Sequence, residues 1–133
     1  MTSIVEKYDH IRYALFPDGE RTQNCWSFVR LFLKDRGIIV DDFDLIGRMP
    51  KELEQSFLDA LKITTCEEHN KPKKNDIVLM QSMSETLARY HCGVIIDAEN
   101  VAHIGDGSDR VIVSPLFQLR KKWELRFWQK SIS

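Results

Sequence analysis

The 133-residue chain carries no excess charge of either sign: 19 Lys and Arg stand against 20 Asp and Glu, a formal net charge of −1. Without a net positive field, neither nucleic acid nor an anionic membrane surface is expected among its partners. Cysteine is scarce. The 3 present are an odd number at irregular spacing, which argues against a disulfide framework, suits a reducing compartment and leaves at least one thiol free. No CxxC pair is available to anchor zinc. No apolar run approaches the ~20 residues of a transmembrane helix, and Met1–His10 lacks the basic and apolar regions of a secretory signal. The expectation is synthesis in the cytoplasm without membrane insertion, any target outside the cell being reached by another route. Internal repeats and low-complexity tracts are also missing. A 43% hydrophobic and 29% charged composition then fits a single globular domain over 1–133.

What is present divides near residue 70, with helical periodicity before it and strand-like runs after it, which predicts an α+β fold. Ile4, Tyr8 and Ile11 lie at helical spacing, and Phe16-Pro17-Asp18-Gly19 supplies a turn to end that element. Cys25, Phe28, Val29 and Phe32 recur at i, i+3, i+4 and i+7, with Gly37 as a stop and Thr22 or Asn24 as the N-cap. Pro50 suits a first helical position, and Leu53, Phe57, Ala60 and Leu61 behind it line one face of a further core helix. The polar stretch Glu67–Asn75 reads as a surface connection. Runs rich in β-branched and aromatic residues follow at Ile77–Gln81, Tyr90–Ile96, Val101–Ile104, Val111–Val113 and Trp123–Trp128, and predict a small antiparallel sheet of about five strands. Turn-forming Asp97–Asn100 and Gly105–Gly107 join neighbours, so a local meander is the simplest topology.

Cys25 falls in or beside the first turn of its helix, where the dipole and free N–H groups favour a thiolate. A cysteine on an apolar helix face also fits a buried, inert thiol, so a partner base has to distinguish the two readings. His91 heads the most apolar run, in which alternation sends His91, Gly93 and Ile95 to one face and Cys92 and Val94 to the other. If Gly93 lies opposite His103, the imidazoles are diagonal neighbours on one face, roughly 7–8 Å apart. A register shifted by one would separate them. Gly93 leaves room for such a pair, although a strand glycine equally marks a bulge. Cysteine, histidine and histidine in that order supply the parts of an acyl-transfer site.

The segments Asn24-Cys25-Trp26-Ser27-Phe28-Val29-Arg30-Leu31, Asn75-Asp76-Ile77-Val78-Leu79-Met80, His91-Cys92-Gly93-Val94-Ile95-Ile96 and Val101-Ala102-His103 resemble the NlpC family of papain-like cell-wall cysteine peptidases, most of all its bacteriophage tail-associated branch. The resemblance runs over about Tyr13 to Val113. It implies a nucleophile at a helix N-terminus packed on a small antiparallel sheet, with Cys25 as nucleophile, His91 as general base and His103 as the group that orients His91. Tyr13 stands where family members often carry an oxyanion-binding tyrosine. The implied substrate is a peptide or isopeptide bond of the peptidoglycan stem peptide, cut without cofactor or metal. A phage tail or a secretion machine is then the implied partner that delivers the protein to the periplasm or wall. Departures are Asn75 in place of the usual glycine before Asp76, Ser27 in place of a glycine after the nucleophile, and Cys92 in place of a small aliphatic residue.

Other readings stay open at the level of sequence. The same fold can serve as a non-catalytic tail-assembly or interaction module, with Trp26, Trp123 and Trp128 on a partner surface or, alternatively, in the core and rim. The same Cys-His-His set can run an amidase or acyltransferase. A metal site would have to draw on Cys66, His69, His91, Cys92 and His103, but His91 and Cys92 point to opposite faces of their strand.

Overall fold

The architecture of the computed structural model, which describes residues 3–14, 18–19, 21–40, 66–82, 90–105 and 108–130, is α+β. These residues form α1 (Ile4–Lys7), β1 (Arg12–Tyr13), β2 (Thr22–Gln23), α2 (Cys25–Lys34), β3 (Cys66–His69), β4 (Ile77–Ser82), β5 (Tyr90–Ile95), β6 (Asn100–His103), β7 (Ile112–Pro115), α3 (Leu116–Leu119) and β8 (Trp123–Lys130). The helix expected from Pro50 lies outside the described residues, as do parts of the turns expected at 16–19 and 105–107.

α1 is one turn long, capped by Ser3, whose hydroxyl accepts from the Glu6 N–H. The apolar spacing continues past it through Tyr8 and Ile11, but these two reach the core from a turn, because the backbone is already extended at Arg12. α2 opens with a reciprocal capping box. Asn24 Oδ1 accepts from the Ser27 N–H at 2.8 Å, and Ser27 Oγ accepts from the Asn24 N–H at 2.8 Å. Asn24 rather than Thr22 is therefore the cap, and Ser27 has a structural reason to be where it is. The helix ends at Lys34, and Gly37 follows in the left-handed region at φ 78°.

Among the described residues the main sheet has six strands in the order β3-β8-β4-β5-β6-β7, and every neighbouring pair is antiparallel. It is covered on both faces, which explains why β4 and β5 read as continuous apolar runs instead of alternating. On one face Ile77, Leu79, Cys92, Val94, Ala102 and Trp128 pack under Phe28, Val29 and Phe32 of α2 together with Tyr8 and Ile11. On the other, Val78, Met80, Ile95, Val101, Trp123 and Phe127 pack with Leu116 and Leu119 of α3. All three tryptophans are buried.

Two expectations need correction. The meander holds from β4 to β7, but β8 crosses back and inserts between β3 and β4. The crossing is made beneath the sheet by α3, whose Leu116 and Leu119 bury there. Secondly, the stretch Glu67–Asn75 is not a surface connection throughout: it begins in an edge strand, Cys66–His69, paired with β8. Its polarity is what an edge tolerates: Glu68 receives both a 2.7 Å and a 2.8 Å hydrogen bond from the Arg126 guanidinium on the neighbouring strand. The turn that follows is pinned by Asp76, whose buried carboxylate accepts from the Lys73 N–H at 2.7 Å and lies 2.9 Å from His69 Nε2. Burial pushes that carboxyl up from the ordinary range, with the Lys73 N–H and His69 opposing. Asn75, immediately before it, has φ 70°, a left-handed conformation that asparagine tolerates better than other residues with a side chain. That accounts for an asparagine at this position.

Candidate active site

Cys25 is the first residue of α2, half-buried, with Asn24 and Ser27 fixing the direction in which the helix begins. Its sulfur meets β5. The Cys92 thiol and backbone N–H and the His91 side chain are the groups that act on it. The Cys25 thiol is consequently held well below its ordinary value: the Cys92 hydrogen bond lowers it most, burial opposes, and the hydrogen bond and positive charge of His91 lower it further. Cys92 moves the other way, raised by burial and by the neighbouring Cys25. The pair thus divides into one thiol that ionises readily and one that keeps its proton.

His91 and His103 are buried, with 6% and 1% of their surfaces exposed, so their polar atoms must find partners within the protein. The β5–β6 register pairs Val94 with Ala102 and Ile95 with Val101, which sets Gly93 opposite His103. His91 Nε2 then lies 2.9 Å from His103 Nδ1, with the two rings edge to face. A Cβ on Gly93 would come within 2.6 Å of Val101 Cγ1, 2.8 Å of the Ala102 oxygen and 3.1 Å of His103 Cβ. The glycine is there because two backbones and a histidine converge on it. Trp123 closes the site from the other side, its ring 5.9 Å from that of His91.

The line of hydrogen bonds continues one residue beyond the sequence-based expectation. His103 Nε2 lies 2.8 Å from Ser114 Oγ on β7. Because His103 pairs with Ile112, Ser114 is its diagonal neighbour on the same face. This fixes a consistent direction of donation. If His91 Nε2–H donates to His103 Nδ1, then His103 carries its proton on Nε2 and donates to Ser114, leaving His91 Nδ1 as the nitrogen able to exchange a proton with Cys25.

Tyr13 enters from the other end of the fold. β1 and β2 form a short parallel pair in which Tyr13 is opposite Gln23, two residues before Cys25. Its backbone N–H donates to the Asp109 carbonyl at 2.7 Å, and its ring lies so close over Gly105 that a Cβ there would be 2.7 Å from two ring carbons. Gly105 also has φ 96°, so both space and backbone conformation require glycine. The Tyr13 hydroxyl is raised above its usual range, first by burial and then by the charge of Cys25, and it stays protonated as a donor at neutral pH.

The structure therefore brings Cys25, His91 and His103 together and adds Ser114 and Cys92, while Tyr13 lies near enough for the charge of Cys25 to act on its hydroxyl. Ser114 could have been found only by continuing the strand alternation through the β6–β7 pairing. Cys92 was visible in the sequence, on the opposite strand face to His91, but not as a neighbour of Cys25. His69, weighed as a metal ligand, pairs with Asp76 instead, and among the described residues no three His, Cys, Asp or Glu side chains are placed to hold a metal ion. No protein-family model matches the chain, and no curated protein sequence matches it. What the arrangement can do rests on its chemistry: an ionisable thiol beside an imidazole that is held by a second imidazole is equipped for acyl transfer.

Proposed function

We propose that the protein is a cysteine hydrolase of the NlpC type, cleaving a peptide or isopeptide bond in the peptidoglycan stem peptide. The observation that carries this reading is the continuous line from Cys25 at a helix N-terminus through His91 to His103, 2.9 Å further on. The Cys25 thiolate attacks the carbonyl carbon, and the oxyanion that forms is met by the Cys25 backbone N–H at the start of α2 and by the Tyr13 hydroxyl. His91, charged while Cys25 is a thiolate, gives its proton to the leaving amine as the tetrahedral adduct collapses to a thioester. It then takes a proton from water, whose oxygen attacks the thioester and frees Cys25. His103 stabilises the imidazolium through its Nδ1 lone pair, and Ser114 holds His103 in the tautomer that presents that lone pair.

The wall substrate is supported by the resemblance of the Cys25, Asp76, His91 and His103 segments to the NlpC family. Delivery by a virion or a secretion machine has the same support. An amidase or acyltransferase would use the same site and differ in the group that accepts the acyl chain. The test is mass-resolved digestion of purified peptidoglycan by the wild type and by Cys25→Ala, both confirmed as folded by circular dichroism. New muropeptides from the wild type alone are expected, and their masses identify the bond cut. Absence of products from several wall chemotypes, with the wild type folded, would overturn the wall-hydrolase reading.

A further inference from the structure

Cys92 has no step in the mechanism above, yet it is fully buried against the nucleophile. We propose that Cys25 and Cys92 form a dithiol that responds to hydroperoxides, Cys25 being oxidised first and Cys92 then closing a reversible disulfide within the chain.

Three features of the placement support this. The Cys92 side chain leaves β5 on the face covered by α2, and Cys25 packs against the same apolar cluster that contains Cys92. α2 packs on β5, and each thiol is the other's neighbour there, so a bond between them joins adjacent side chains. Exposure is unequal: Cys25 is half-buried and Cys92 has 0% of its surface exposed. A small oxidant in solution therefore reaches Cys25, while Cys92 is reached through Cys25. The division of ionisation described above has the same polarity, with the accessible sulfur the better nucleophile.

The chemistry balances as follows. The Cys25 thiolate attacks one oxygen of the hydroperoxide, the O–O bond breaks, and the leaving alkoxide or hydroxide takes a proton from solvent to become alcohol or water. Cys25 is then a sulfenic acid. The Cys92 sulfur attacks the Cys25 sulfur, the S–O bond breaks, and the hydroxyl leaves as water with the Cys92 proton. Overall two thiols lose two protons and two electrons, and the hydroperoxide is reduced. Without a resolving thiol, a sulfenic acid continues to the sulfinic acid, which is not recovered by thiols. Cys92 thus protects a reactive cysteine from irreversible loss. The inference rests on the contact of two sulfurs and requires no hydrolytic activity; on the hydrolase reading, the bridge would also hold the nucleophile out of use until reduced.

The experiment is titration of the folded protein with hydrogen peroxide, followed by intact mass, non-reducing peptide mapping and dimedone labelling. The wild type should lose the mass of two hydrogens, yield a peptide linking Cys25 to Cys92, and recover both thiols with dithiothreitol. Cys92→Ala should lose that linkage and instead accumulate dimedone adduct and sulfinic acid at Cys25. Cys92→Ser serves the same purpose if the alanine variant does not fold, and the wild-type peptide map decides in either case. The proposal is overturned if wild-type Cys25 goes to sulfinic acid with no linked peptide, or if the linked partner is Cys66. None of these readouts uses a substrate, so they stand or fall separately from the wall digestion.

Discussion

At the scale of single residues, the site depends on where protons sit. His91 can serve Cys25 only if its Nε2–H is accepted by His103, and His103 can accept on Nδ1 only while its own proton is on Nε2, 2.8 Å from Ser114 Oγ. Ser114→Ala removes that acceptor and lets His103 adopt the wrong tautomer. Turnover should fall about threefold to tenfold, the equivalent of the ~0.5–1.5 kcal/mol of one neutral hydrogen bond. The readout that separates positioning from mere structure is kcat falling with KM and the melting temperature unchanged, and partial recovery in Ser114→Thr. Cys25, His91 and His103 were legible in the sequence because helix period and strand alternation place side chains without knowledge of the fold. Ser114 was not, since a serine acquires a role only once β7 is known to pair with β6. Tyr13 was legible only through the family resemblance; the β1–β2 pairing that carries it toward Cys25 spans two residues on each strand, too few for periodicity to detect.

At the scale of elements, β5 holds the site together. Its edge toward β6 can come close enough for the two imidazoles to bond because Gly93 has no Cβ. Gly93→Ala should push Val101 and the Ala102 carbonyl away and lengthen the His91–His103 contact. The expected cost is about 1–3 kcal/mol of stability, as for other overpacked core positions, with a proportionally larger loss of activity than of stability. Denaturant unfolding together with the kinetic assay on the folded fraction checks it; an unchanged midpoint and full activity would show that the strands yield at no cost. α2 was predicted to within a few residues because its apolar face and Gly37 are both strong local signals. β3 was misread. Four residues of mixed polarity carry no strand pattern, and only the partner β8, with Arg126 reaching Glu68, makes that segment a strand.

At the scale of the whole molecule, the nucleophile and its base are supplied from opposite faces of the sheet and meet at the start of β5. Cys25 and Cys92 belong to the face packed under α2, whereas His91 and His103 lie on the face shared with Val101, Trp123 and α3. The α+β class and the antiparallel sheet followed from the runs after residue 70, but the return of β8 to the middle of the sheet did not, because sequence neighbours give no sign of a crossing connection. Trp123 shows why the crossing matters: β8 brings its ring against His91, 5.9 Å away. Trp123→Ala should destabilise the fold by about 3–5 kcal/mol. Trp123→Phe keeps a ring against His91 and should recover most of the stability; thermal melts of the two variants test this, and equal losses would mean that ring packing is not what Trp123 contributes.

The central claim is that Cys25 is an ionised nucleophile sustained by His91. The most direct measurement is the rate of Cys25 alkylation by iodoacetamide, resolved by peptide mass, from about pH 5 to 9 in the wild type and in His91→Ala. A thiol held well below its ordinary value stays charged as the pH falls, so wild-type alkylation should be fast and nearly flat through neutral pH and decline only as the pH drops through the lowered value. In His91→Ala the midpoint should move part of the way up toward the ordinary ~8.5 of a free thiol, the effect of Cys92 remaining, and the rate near neutrality should drop. Superimposable profiles in the two proteins, or a wild-type midpoint already at that ordinary value, would contradict the account.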